Sequence, residues 1–209
     1  MTGAIVLGLL VLVAALLLTL SGSPLIVAQT NGVPATSLLA EGTSGARACQ
    51  SRELLPAGTS AIRLTLVAAV GPRVSVTVLS GTRTLTSGVT RSGWTSGAVT
   101  VPVKPFQHAV SNVTICLELG PAAEAVALSG ERTSRAAAAR LSTGVPLSGR
   151  FTVEYMKPGY NSWWGLESRI ATRIGFGRAP SGSWVALLLL LLMGISVATA
   201  IWLLVEDLR

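Results

Sequence analysis

Aspartate is almost missing from this chain of 209 residues; the only one is Asp207, close to the C-terminus. Histidine occurs once, as His108. A Ser–His–Asp triad needs a carboxylate to orient the imidazole, so residues 21–183 cannot supply one. A Ser–His–Glu version would need a glutamate such as Glu118 or Glu154 beside His108. Calcium loops of the DxDxDG kind are absent, and the inventory of Cys, His and acidic ligands is too small for an ordinary zinc site. No GxSxG elbow occurs, because Gly93-Trp-Thr-Ser-Gly97 has the wrong spacing. Gly175-Phe-Gly177 follows a helical pattern rather than a strand, which removes it as a dinucleotide fingerprint. The glutamates are spread singly, a pattern of solvated faces rather than of a paired-carboxylate glycosidase. His108 lies between strands and reads as an ordinary loop histidine. The expectation is a protein with no catalytic residue, no metal and no cofactor, and therefore not an enzyme.

Cysteine is scarce too. Cys49 and Cys116 stand 67 positions apart, which excludes a CxxC redox or metal motif. In an exported domain such a pair reads as one structural disulfide. Closing a loop of that length stabilises a fold by about 4 kcal/mol on the chain-entropy account.

What the chain has in abundance is apolar sequence at both ends. Residues 4–20 carry no charge, and neither do residues 184–205, which include six consecutive leucines from Leu187 to Leu192. The second run is long enough to cross a bilayer as a helix, at ~1.5 Å per residue over a ~30 Å hydrocarbon core. Trp184 and Trp202 bracket it at the depth where indoles prefer the interface. The first run is shorter and reads as a transmembrane signal anchor or a signal peptide over residues 1–21. The positive-inside rule, applied to Arg169, Arg173 and Arg178 before the last run, points to a cytoplasmic domain. That rule is weak for long translocated segments. The export-like first run and the cysteine pair favour a domain on the extracytoplasmic side of the cell membrane, followed by a short tail, 206–209.

Between the runs lie fifteen basic residues against seven glutamates, a net charge near +8. Such a domain is attracted to an anionic bilayer or envelope polymer. The basic residues are scattered singly, without interleaved aromatics, so nucleic acid is not an expected partner. Residues 22–48, with Pro24, Gly32, Pro34, Gly42 and Gly45, read as a linker. From there to residue 158 the apolar period is two. Ile62, Leu64, Leu66, Ala68 and Val70 alternate with polar residues, as do Val74, Val76 and Val78. Ser80-Gly81-Thr82 marks a hairpin turn into 83–89. Residues 99–103 form a strand that Pro102 would place at an edge. Val113, Ile115, Leu117 and Leu119 share one face of the strongest strand, 110–119. Strands at 125–128 and around Phe151, Val153 and Tyr155 follow. Residues 135–141 suit either a helix or a strand paired with 150–156, and their place among β elements favours the strand. Seven or eight short antiparallel strands predict a mainly β fold, a jelly-roll-like β-sandwich over 49–158. An immunoglobulin variant fits poorly, with Trp94 too far from Cys49 and Thr114 at the tyrosine-corner position.

After Pro158-Gly159 the period becomes helical. Trp163, Leu166, Ile170 and Ile174 fall three or four apart, with Ser162 as N-cap. Within 159–183 this predicts a juxtamembrane amphipathic helix whose Trp163, Trp164, Leu166, Ile170 and Ile174 meet the membrane interface. Trp94 lies in a Gly/Ser/Thr loop where an indole stacks on a sugar or anchors a partner, with Arg91 beside it as a hydrogen-bonding fork. The competing reading folds Trp94 back over the edge of the core.

The stretches Cys49-Gln50, Pro56-Ala-Gly-Thr-Ser-Ala-Ile-Arg63, Gly93-Trp-Thr-Ser-Gly97, Val153-Glu-Tyr-Met-Lys-Pro-Gly159, Ser162-Trp-Trp164 and Gly177-Arg-Ala-Pro-Ser-Gly182 resemble those of a group of uncharacterised actinobacterial membrane-anchored proteins. The resemblance spans most of the chain from Cys49 onward. It implies a Gram-positive-type envelope and brings no activity. Together these features predict a membrane-tethered binding or accessory module. Its expected partners are membrane lipid and an envelope glycan or another membrane protein. The alternatives are a structural subunit of a larger membrane complex and, least favoured, a small glutamate-dependent hydrolase.

Overall fold

A computed structural model describes residues 2–42, 47–121 and 125–166, together with 191, 192, 194, 198 and 199. The chain divides into a β unit, Leu25–Pro158, and a second unit made of residues 1–24 and 159–209.

The β unit is built of β1 (Leu25–Thr30), β2 (Ser37–Gly42), β3 (Arg47–Leu55), β4 (Thr59–Val67), β5 (Val74–Ser80) and β6 (Arg83–Thr90), then β7 (Gly97–Phe106), β8 (Val110–Leu119), β9 (Val126–Arg132), β10 (Arg140–Leu141), β11 (Gly149–Phe151) and β12 (Val153–Pro158). All ladders between them are antiparallel. One hydrogen-bonded path runs β1-β12-β4-β7-β6-β5-β8-β3-β10, while β9 branches from β4 and carries β2 and β11. The result is a single curled 12-stranded sheet, a half-barrel.

The curl brings both halves onto one core. Ile62, Leu64 and Leu66 of β4 cluster with Val74, Val76 and Val78 of β5, Val113, Ile115 and Leu117 of β8, and Phe151, Val153 and Tyr155. These are the period-two residues of the sequence, and their polar alternates stay closer to solvent. The step between the halves is a single bridge, Gly88↔Val103. A Cβ on Gly88 would collide with the Pro102 carbonyl oxygen, so only glycine permits this approach.

Several expectations hold. The β5–β6 hairpin closes at Ser80↔Arg83 with Gly81 at φ 57°. Strand β8 spans the expected residues. Cys49 and Cys116 sit opposite each other on β3 and β8 and form a disulfide.

Others are corrected. The stretch 22–48 is not a plain linker, because 25–30 and 37–42 are β1 and β2, paired with β12 and β9. Both strands obtain their partners from much later in the chain, which a local composition cannot signal. Strand β7 is interior, between β4 and β6, rather than an edge. Pro102 is accommodated because the β4 ladder shifts register beside its partner Ala61, and the β6 side offers only the one bridge. Residues 135–138 form a turn, with the Ala137 and Ala138 amides donating to the Ser134 carbonyl. The short β10 after it pairs with Ala48 and Cys49 of β3 instead of with 150–156.

In the second unit, α1 (Thr2–Ser21) is a helix without a charged side chain. Leu7, Val11, Leu12 and Leu18 on it are exposed. Counting only described residues, no helix is long and apolar enough to cross a membrane. The Gly159 amide donates to the Pro24 carbonyl at 2.8 Å, and the Trp163 amide to that of Gly22 at 3.1 Å. Helix 163–166 begins as expected, with Ser162 Oγ accepting the Gly165 amide at 3.3 Å.

Candidate functional site

Strand β3 carries the most unusual local structure. Its ladder with β8 shifts register twice between Gln50 and Leu54, and Arg52 stands at φ 63°. A non-glycine residue there is uncommon and is held by its surroundings. The bulge changes which side chains point inward. Before it, Ala48 and Gln50 are buried; after it, Glu53 and Leu55 are. Arg52 is left exposed between them.

The two inward polar residues are fully employed. Gln50 uses its carbonyl to accept the Phe151 amide at 2.7 Å, and its amide group donates to the Phe151 carbonyl at 3.2 Å and to Glu53 at 2.6 Å. Glu53 also pairs with Arg150 and accepts the Tyr155 hydroxyl at 3.4 Å. Burial, then the Glu53 charge and its hydrogen bond, hold the Tyr155 phenol far above the usual phenol range, with Arg150 acting weakly the other way. Asn31 braces the same break between β11 and β12, donating to the Phe151 carbonyl and accepting the Val153 amide. Side-chain amides thus replace ladder partners where two strands part, satisfying backbone groups that would otherwise be stranded.

Two concavities meet over this network. The larger, about 440 Å³, is lined by Cys49, Ser51, Arg52, Ala136, Ala137, Ala138, Arg140 and Arg150. The smaller, about 220 Å³, lies against Gln29, Thr30, Asn31, Arg52, Glu53, Leu54, Arg150 and Tyr155. Arg52 and Arg150 belong to both. The larger cleft therefore presents three guanidinium groups and, among the described residues, no carboxylate. Arg140 donates to the Gly144 carbonyl at 3.4 Å, and Arg52 has no salt-bridge partner among the described residues. Arg150 Nε is buried without a hydrogen-bond partner among the described residues. The other ion pair among the described residues, Arg63–Glu154, bridges β4 and β12 away from the cleft lining.

The sequence-derived candidates fare differently. Trp94 is folded back on the core; its Nε1 donates to the Pro72 carbonyl at 2.7 Å and its ring covers Gly71, where a Cβ would strike it. Its polar edge is thereby used internally. Arg91 is exposed in the same loop and lines neither cleft. Cys49 lies in the wall of the larger cleft, and Cys116 is buried behind it as its disulfide partner. Trp163 and Trp164 are exposed and Leu166 is half-buried; Ile170, Ile174, Trp184 and Trp202 lie outside the described residues. Sequence reasoning missed Gln50, Arg52, Glu53, Arg140 and Arg150. The available signal was in β3, where no single period of two explains both Ala48 and Leu55 as core. Among the described residues no group of Cys, His, Asp or Glu is placed to hold a metal ion. No family model, no curated protein and no solved structure matches this chain.

Proposed function

We propose that the chain is a non-enzymatic, membrane-tethered module on the extracytoplasmic face of the cell envelope, whose β unit binds an envelope component. The observation that carries it is the cleft walled by Arg52, Arg140 and Arg150, a concave and cationic surface with no acidic lining residue among those described. Such a surface suits holding an anion and offers no obvious proton-transfer pair. The disulfide beside it points to an oxidising compartment.

The tether rests on a register. Leu25 of β1 pairs with Pro158 of β12, so the chain enters and leaves the β unit at neighbouring points. Neighbouring entry and exit points suit a unit tethered to one bilayer through both flanking segments, with Trp163 and Trp164 at its interface. The jelly-roll-like sandwich is part of the same reading. The two halves of the curled sheet share a core and touch through one bridge, which would let them act as two layers.

The test is binding of the full chain, purified in a neutral detergent, to isolated wall and membrane polysaccharide. Saturable binding without turnover of the polymer supports the reading; absence of binding, or turnover abolished by His108→Ala, refutes it. Trp94→Ala is expected to leave binding unchanged, since the indole is committed to Pro72. A stoichiometric membrane protein that co-purifies even after deletion of 25–158 would instead favour an assembly subunit.

A further inference from the structure

We infer that the cleft between β3, β10 and β11 is a phosphate-binding site, accepting a phosphate group carried on a sugar-sized unit. The inference rests on the binding-module reading and assigns that module its ligand chemistry and its residues.

Three observations converge. First, cationic charge is concentrated and only partly compensated. Arg52, Arg140 and Arg150 line one cleft, and no acidic side chain joins them in its lining among the described residues. Of the three, Arg150 has an ion pair among the described residues, with Glu53, which faces the smaller cavity. Like charges gathered in a concavity repel one another, and an anion of more than one charge relieves that repulsion better than a single carboxylate does. Guanidinium groups match phosphate oxygens in paired hydrogen bonds. Second, a donor group is left over at the cleft surface. Arg52 is exposed and makes no ion pair among the described residues. Its guanidinium can therefore turn its N–H groups to an acceptor that enters the cleft. Third, the backbone is bent to aim that side chain. The β3 bulge and the positive φ of Arg52 turn that residue outward while its neighbours Gln50 and Glu53 turn in. Bulges re-aim side chains next to functional sites, and strained residues persist where surrounding structure fixes them.

The dimensions agree. About 440 Å³ falls within the range of small-molecule sites and exceeds what a bare phosphate fills. Ala136, Ala137 and Ala138 form an apolar wall beside the arginines, suited to the carbon face of a ring. The disulfide fixes the floor, since Cys49 lines the cleft and is also the register partner of Arg140. Two sources carry such a phosphate, a phosphorylated envelope glycan and a lipid headgroup, and the experiment separates them.

The experiment titrates the full chain in neutral detergent with glucose 1-phosphate, with glucuronate and glucose as comparison ligands. In parallel it measures co-sedimentation of the chain with vesicles of phosphatidylglycerol and of phosphatidylcholine. Glucose 1-phosphate is expected to bind at least about tenfold more tightly than glucuronate, with glucose not binding, and Arg52→Ala or Arg140→Ala each to weaken it about tenfold. Arg83→Ala, on the β5–β6 hairpin and outside the cleft, is expected to change nothing. Arg52 and Arg140 are exposed, so both variants should keep the fold, which circular dichroism verifies. If the same two substitutions also weaken capture by phosphatidylglycerol vesicles, the source is lipid; if vesicle capture is unaffected, it is a phosphorylated glycan. Equal affinities for glucose 1-phosphate in wild type and both cleft variants overturn the site. In that event, retained binding to envelope polysaccharide would leave the module reading standing, and loss of all binding in wild type would end both.

Discussion

Breaking the Arg150–Glu53 pair from its two sides should have unequal consequences. The Glu53 side chain is 2% exposed and the Arg150 side chain 29%. Replacing Arg150 by Met leaves a carboxylate in the interior, held only by Gln50 at 2.6 Å and Tyr155 at 3.4 Å. Stranding a buried charge in this way costs about 3 kcal/mol, the lower end of the range because two neutral donors remain. Replacing Glu53 by Gln leaves the guanidinium, which reaches water, so the cost falls to about 1 kcal/mol, the scale of a lost charge-assisted hydrogen bond offset by solvation. The double variant should be more stable than Arg150→Met alone by about 1–2 kcal/mol, because no buried charge is left. For a unit of roughly 130 residues, 1 kcal/mol corresponds to about 3–4 °C in melting temperature. Thermal unfolding followed by far-ultraviolet circular dichroism should therefore place Arg150→Met about 10 °C below wild type, Glu53→Gln about 3–4 °C below it, and the double variant between them. A Glu53→Gln loss equal to or larger than that of Arg150→Met would refute the argument from asymmetric burial.

Three further outcomes follow from the same structure. Replacing Cys49 and Cys116 together by Ala releases a loop of 67 residues and should cost about 4 kcal/mol, read as a drop of about 12–16 °C in melting temperature; a drop below a few degrees would contradict it. Gly88→Ala drives a methyl group into the Pro102 carbonyl and should destabilise by about 2–3 kcal/mol, measured by urea unfolding, whereas the same change at exposed Gly8 should leave the β unit untouched. Tyr155 keeps its proton in the folded state above the pH at which a free phenol loses it. Its contribution to stability is therefore complete below pH ~10 and is lost as pH rises further, because only the unfolded chain ionises there. Tyr155→Phe should flatten that alkaline limb in a pH series of unfolding midpoints, and an unchanged limb would count against the buried network.

Much of the β unit was legible in the order of its residues. From β4 to β8 the core writes itself as alternation, and the glycine at Gly81 announces its turn. The two strands hidden in 22–48 were not legible, for a physical reason. Leu25, Ile26 and Val27 are consecutive and all at least 37% exposed, so β1 shows no period of two. Its place is set by β12, more than a hundred residues away. The site was less legible still. Arg52 matters because of a backbone angle that its side chain does not encode, and Glu53 meets Arg150 across 97 positions. Trp94 was visible as a loop aromatic, but whether its indole faced solvent depended on the Pro72 carbonyl and the bare surface of Gly71.

The central claim, a β unit held outside the cell by its apolar ends, is tested most directly by labelling from one side of the membrane. Thr82 sits exposed at the tip of the β5–β6 hairpin. In a Thr82→Cys variant with the Cys49–Cys116 disulfide intact, a membrane-impermeant maleimide added to intact cells should label the full-length, membrane-associated chain. Lysing the cells first should add no further label. Labelling that appears only after the membrane is broken, or a chain recovered in the soluble fraction, would contradict the account.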